Sequence, residues 1–263
     1  MKLKSKIIGI IVLFTAIGLA NCRQEKMFFH PTPLPADFEF KFQNEFTEYQ
    51  IPVAENVAVN GLLFKAKQSK GLVFYLHGNA GALNTWGEVA DFYTQNNYDI
   101  FILDYRGFVK SEGRIENEEQ FLGDVQLVYD SLKTHYKEEN TVVIGYSIGT
   151  CPAAYIAAKN NPKNLVLKAP YYNMIDLVHH YYWIVPGWAV KYKLRTNEYL
   201  PQVKAPITIF HGTDDQVIPV ESSYKLKEFL KPTTDTLIIV KGKTHAGVGN
   251  WDEYKSELTK IMH

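Results

Sequence analysis

Three residue types able to act together on an acyl carbon occur in this 263-residue chain in the order Ser, Asp, His. Ser147 sits in Gly145-Tyr146-Ser147-Ile148-Gly149, Asp215 in His211-Gly212-Thr213-Asp214-Asp215, and His245 in Lys243-Thr244-His245-Ala246-Gly247. A serine hydroxyl is a weak nucleophile at neutral pH. It needs an adjacent base, and the base needs a group that fixes its tautomer. An imidazole and a carboxylate meet those two needs, and Asp214 competes with Asp215 for the second role. The pentapeptide around Ser147 is a weak signal alone, but its setting strengthens it. Thr141-Val142-Val143-Ile144 reads as a short buried strand and residues 148–159 have helical composition, so Ser147 falls on a tight strand-to-helix turn. Glycines on both sides of such a turn leave room for the neighbouring strand and helix.

The elements that must position these residues follow a regular pattern. Residues 48–53 and 57–67 read as two antiparallel strands, and residues 71–77 as a continuous apolar strand covered on both faces. Helix and strand then alternate: helix 84–96, strand 98–105, helix 116–135, strand 141–146 and the helix after Ser147. Strands at 165–168, 207–211 and 236–241 follow, with a helix at 220–230 and a last one from residue 250. Alternation of this kind predicts one α/β domain, with a mostly parallel sheet of about eight strands and helices on both faces. Ligands in such sheets gather beyond the carboxyl ends of the strands, where Ser147, Asp215 and His245 all fall.

One stretch breaks the alternation. Residues 170–202 contain Tyr171-Tyr172, His179-His180-Tyr181-Tyr182-Trp183 and Pro186-Gly187-Trp188, and lie between strands on the side where the serine emerges. They read as a small aromatic cap, or as a helical excursion packed on the domain.

The motifs together resemble those of the α/β-hydrolase superfamily, in its serine esterase and serine aminopeptidase-like branch. The resemblance runs from about residue 57 to the C-terminus. It implies Ser147 as nucleophile, Asp215 as acid by the His-Gly-x-x-Asp spacing, and His245 as general base. It also places half of an oxyanion hole in His77-Gly78-Asn79-Ala80-Gly81. The backbone N–H groups of Asn79 and Ile148 are the expected donors, with Ala80 one position from the first. His77 and His211 read as turn-shaping residues, and Asp104-Tyr105-Arg106-Gly107 as support for the oxyanion loop. The implied reaction is hydrolysis of a carboxylic ester or thioester through an acyl-enzyme, without cofactor or metal; peptidase or acyltransferase chemistry would use the same triad. A noncatalytic surface lipoprotein that keeps the fold as a binding module is the third reading.

The N-terminal segment points to the cell envelope, while the overall charge excludes two other partners. The formal net charge is zero, and residues 1–21 carry Lys2, Lys4 and Lys6 and no acid. Neither a nucleic-acid groove nor a polybasic patch is implied. Residues 7–20 form an apolar run that as a helix would cross only about two-thirds of a bilayer core. With its lysine flank it reads as a signal-peptide h-region over residues 1–21. It ends in Leu19-Ala20-Asn21-Cys22, which resembles a bacterial lipobox and implies lipid attachment at Cys22. Residues 22–46 then form a tether and lead-in to the domain at 47–263, with six phenylalanines expected to lie back on its surface, the membrane interface being the other place for them. Cys151, the other cysteine, reads as a small packing residue.

Overall fold

The computed structural model describes residues 24–263 apart from Pro33, Ala36 and Val109. The predicted signal segment and Cys22 lie outside the described residues.

The sheet has eight strands: β1 Phe46–Ala54, β2 Val57–Phe64, β3 Leu72–Leu76, β4 Asp99–Leu103, β5 Thr141–Tyr146, β6 Asn164–Lys168, β7 Ile207–Gly212 and β8 Thr236–Val240. Their order is β8-β7-β6-β5-β3-β4-β2-β1, and β2 alone runs against the direction of the other seven. The expected mostly parallel sheet is observed. Its central strands are buried and mostly apolar because both faces are covered. In β3, Leu72, Phe74 and Leu76 enter one core cluster and Val73 and Tyr75 the other, the period of two inherent in a pleated strand.

Helices follow the strands. On one face lie α2 Glu118–Lys133 and α3 Thr150–Lys159, together with α4 Met174–Tyr181 and α5 Glu221–Lys227; on the other lie α1 Ala90–Gln95 and α6 Asp252–Met262. In α2 the buried Phe121, Val125, Val128 and Leu132 recur at helical spacing, and Asn117 caps the start by accepting the Gln120 N–H at 2.8 Å. The helix predicted over 84–96 is broken: a turn at Leu83–Trp86 and a 3₁₀ turn at Gly87–Val89 precede α1. The Phe42 ring packs on Gly87 where a Cβ would stand, and so occupies the space beside the interruption.

The lead-in segment is built into the domain. Phe29 and Phe40 are buried, one in each core cluster, and Phe29 meets Phe121 and Tyr192 edge-on with centroids 5.3 and 5.4 Å apart. His30–Pro31 pairs with Ala80–Gly81 in the loop after β3. That loop, the turn after β5 and the loops after β7 and β8 emerge at the same edge, since their strands run parallel.

Candidate active site

Ser147 is placed by steric pressure on three residues. Its φ of +54° is left-handed, a conformation that costs a non-glycine residue about 1–3 kcal/mol and persists only when surroundings enforce it. A Cβ on Gly145 would stand 2.5 Å from the Gly149 carbonyl oxygen and 2.6 Å from the Ala153 Cβ; one on Gly149 would overlap the Leu76 carbonyl oxygen. The two glycines thus let α3 close on β5 and the turn close on the end of β3. Thr150 Oγ1 donates to the Ser147 carbonyl at 2.7 Å, which fixes the peptide plane carrying the Ile148 N–H.

The structure brings Ser147, His245 and Asp215 into one relay. His245 Nε2 lies 2.9 Å from Ser147 Oγ and its Nδ1 lies 2.7 Å from Asp215 Oδ2. The other oxygen, Asp215 Oδ1, accepts the Val217 and Ile218 N–H groups at 2.8 Å each. Burial pushes the Asp215 carboxyl up, but hydrogen bonds from His211, His245 and Ile218 outweigh it and hold the acid well below the usual carboxylate range. Asp214 is elsewhere: it accepts the Thr213 hydroxyl at 2.7 Å, and its N–H donates to the Lys243 carbonyl at 3.0 Å. Its role is that of a loop residue.

His211 contributes more than turn shape. It is fully buried, with Nε2 2.9 Å from the Ile218 carbonyl and 3.2 Å from Asp215 Oδ2, and Nδ1 2.7 Å from Ser223 Oγ. A carbonyl only accepts, so Nε2 carries the proton and points it at both the loop and the acid. The i, i+4 spacing to Asp215 was the available signal.

His77, likewise read as a turn residue, anchors the loop after β3. Its Nδ1 bonds the Gly78 carbonyl at 2.7 Å, its Nε2 lies 3.2 Å from Asp104 Oδ1, and its ring stacks on Trp86. Tyr105 donates to the His77 carbonyl at 2.8 Å, so the segment after β4 supports this loop as the motif implied. Asn79 turns its side chain away to accept the His30 N–H at 2.8 Å, and Trp86 Nε1 donates to the Ala80 carbonyl at 3.0 Å. Two surface clefts, about 430 Å³ around Phe42, Asn44 and Lys65 and about 510 Å³ around Arg106, Leu127 and Tyr155, contain none of the relay residues. The candidate site therefore rests on the relay's geometry. Among the described residues no set of three His, Cys, Asp or Glu is arranged for a metal ion. Cys151 is buried, and burial pushes its thiol up.

A buried cation lies beside the elbow. Lys168, paired in register with Tyr146, holds its Nζ 4.8 Å from the ring centroids of both Tyr146 and Tyr254. The Tyr146 ring in turn lies 5.2 Å from the His245 ring. Burial lowers the Lys168 ammonium from 10.5 to about 8. The unfolded chain therefore keeps this proton up to higher pH than the folded protein does. Stability rises with pH through the window from about 8 to 10.5, and the group costs most below it. Lys168→Met removes that cost. In urea unfolding at pH 7 the variant should be more stable by about 1–2 kcal/mol, the full shift being partly offset by lost cation–π contact. Its stability should also lose the rise above pH 8; an unchanged rise would show that another group titrates there.

Three comparisons bear on this geometry. The family described as "Serine aminopeptidase, S33" matches residues 67–196, just under half the chain and ending before Asp215. Human "Alpha/beta hydrolase domain-containing protein 17B" is 26% identical over 210 residues, covering 74% of this chain and 67% of that protein. Among solved structures, an esterase of Pyrococcus furiosus superposes with a TM-score of 0.71 at 20% identity, over 89% of this chain and 97% of its own. Est1E of Butyrivibrio proteoclasticus, solved with ferulic acid bound, gives 0.66 at 18% identity, over 81% and 96%.

Proposed function

We propose that this chain, an α/β-hydrolase by its fold, is a serine hydrolase that cleaves carboxylic esters or thioesters through an acyl-enzyme. The observation that carries the reading is the unbroken relay from Ser147 Oγ through His245 to Asp215, each member on a loop after a different strand. In this mechanism Ser147 Oγ attacks the acyl carbon as His245 Nε2 takes its proton. The negative oxygen that forms is met by the N–H groups of Asn79 and Ile148, preset by the loop and turn that hold them. His245 then gives its proton to the departing alkoxide or thiolate as that bond breaks. Water, deprotonated by His245, attacks the acyl-serine and regenerates the hydroxyl with release of the acid. Asp215 keeps the Nδ1 proton facing itself and stabilises the imidazolium.

A fluorophosphonate probe should label the purified protein in one peptide, at Ser147, and p-nitrophenyl esters from acetate to decanoate should be turned over. Absence of label together with absence of turnover would reject the hydrolase reading in favour of a binding role. The match to an aminopeptidase family favours amides as a second reading. It requires that aminoacyl-p-nitroanilides be cleaved with kcat/KM above that of the best ester.

The same reading includes the address. We assign Cys22 as the lipid-modified residue of a chain held at the envelope membrane, supported by the lysine-flanked apolar run at residues 7–20. No helix among the described residues is long and apolar enough to cross a membrane.

A further inference from the structure

We propose that the exposed tip of the aromatic insertion is a membrane-docking face that seats the site against an anionic lipid bilayer, so that the acyl substrate is drawn from lipid. The inference rests on the hydrolase and anchor readings above and names the surface from which the substrate comes.

The tip is unusual for a surface segment. Tyr182, Trp183, Ile184 and Trp188 are 63%, 84%, 76% and 65% exposed. The base of the insertion does not share this exposure: Met174, Ala189 and Val190 are buried, and Ile175, Leu177 and Val178 pack against the core. An apolar cluster that only served to pack a helical excursion would turn inward. Burying Trp183 and Trp188 in lipid would remove large apolar areas from water, a favourable transfer. Tryptophan and tyrosine in this mixture are the residues enriched at the membrane–water interface.

Charge selects the partner. Between Asp176 and Glu198 the chain has no acidic residue, while it has His179, His180, Lys191, Lys193 and Arg195. Asp176 is paired with Lys225 at 2.5 Å and Glu198 with Arg195 at 3.2 Å, so Arg195 adds no net charge; Glu118 accepts the Lys193 main-chain N–H at 2.9 Å, which leaves Lys191 and the two histidines as the basic groups nearest the tip. Lys191 is exposed, three positions after Trp188 in sequence, with its Nζ 5.3 Å from the Tyr192 ring centroid. Aromatic tip and basic flank together match an anionic headgroup layer over hydrocarbon. A protein partner would more naturally meet such a flank with acidic side chains.

Two connections orient the surface. Gln24, where the described chain begins, donates through Nε2 to the Ala189 carbonyl at 2.6 Å and accepts the Lys191 N–H at 2.8 Å. Gln24 is thus held against the backbone that directly follows Trp188. At the other end of the tip, Tyr181 donates to the Gln216 and Val217 carbonyls at 2.7 and 3.2 Å. These residues directly follow Asp215, and Val217 is itself half-exposed. Gln24, the aromatic tip and the loop after Asp215 are thus joined by hydrogen bonds, and the lipid proposed at Cys22, two positions before Gln24 in sequence, would act close to them.

The test uses the full chain bound to vesicles of phosphatidylcholine with phosphatidylglycerol, in which the phosphatidylcholine acyl chains are brominated. Trp86 and Trp251 are the other tryptophans, and the tip pair is isolated by comparison with a Trp183→Phe/Trp188→Phe double variant. The bromolipid should quench the wild-type fluorescence, and the quenched component should vanish in the double variant. In parallel, Trp183→Ser/Ile184→Ser/Trp188→Ser should lose about tenfold in turnover of long-chain esters embedded in these vesicles, yet hydrolyse soluble p-nitrophenyl acetate like wild type. Quenching that is absent, or equal in wild type and the double variant, overturns the proposal, as does a patch occluded in a stable dimer by sedimentation equilibrium. Equal losses on both substrates would overturn it too, by showing damage to the site. Lack of p-nitrophenyl acetate hydrolysis in the wild type would reject the hydrolase reading and leave the quenching result to be judged on its own.

Discussion

Ser147→Ala should abolish turnover of p-nitrophenyl butyrate, with kcat falling by ~10³-fold or more and fluorophosphonate labelling lost. The size of the loss follows from the relay. Ser147 Oγ is the atom 2.9 Å from His245 Nε2, and without it the imidazole can at best activate a water that no turn holds in position. Residual rate would come from the Asn79 and Ile148 N–H groups and from substrate binding. Because the relay acts as one unit, adding His245→Ala to Ser147→Ala should cost almost nothing further. Multiplying losses would contradict the assignment, as would a single-variant loss well short of ~10³-fold. The fold should tolerate the change, since alanine keeps the Cβ and the left-handed φ of +54° is already enforced by its neighbours.

The second large effect is expected from Asp215→Asn, which should lower kcat/KM by ~10⁴-fold and also reduce stability, since an NH₂ at the Oδ2 position would face the His211 Nε2 proton as well. The surroundings of the carboxylate dictate which way the substituted amide faces. The Oδ1 position receives two N–H bonds, from Val217 and Ile218, and an amide NH₂ cannot accept them. Its carbonyl oxygen must therefore take that position and its NH₂ must face His245 Nδ1. That forces the His245 proton onto Nε2, the nitrogen that must be free to receive the Ser147 proton. Asp214→Asn is the control. Asp214 has its hydrogen bonds with Thr213 and the Lys243 main chain, so its variant should stay within about twofold of wild type. A large loss there with a small one at Asp215 would reverse the assignment of the acid.

Much of this could be read along the chain because its causes are local. The central strands announce themselves by continuous apolar runs, since a strand covered on both faces has no solvent side. The turn at Ser147 is legible because Gly145 and Gly149 are demanded by contacts with the adjoining helix and strand. Helix boundaries were less legible. The interruption at Gly87 coincides with the Phe42 ring, 45 positions earlier, and no local propensity records such a contact.

The alternation of elements, the edge at which their loops emerge, and the residue types that stand at that edge all follow from the order of residues along the chain. Sheet pairing decided the rest. Ser147 and His245 are 98 residues apart and meet only because β5 and β8 lie parallel in one sheet, with their carboxyl ends at the same edge. The same pairing sets Lys168 beside Tyr146, and the burial it imposes lowers that lysine's pKa. The contact of His211 with Asp215 needed the turn between them to fold back on β7. The bond from the lead-in to the loop after β3 through His30 and Asn79, and the outward facing of Trp183 and Trp188, likewise depend on tertiary contacts. An aromatic residue has the same hydrophobicity wherever it stands, and whether it meets core, water or lipid depends on what the remainder of the chain leaves uncovered.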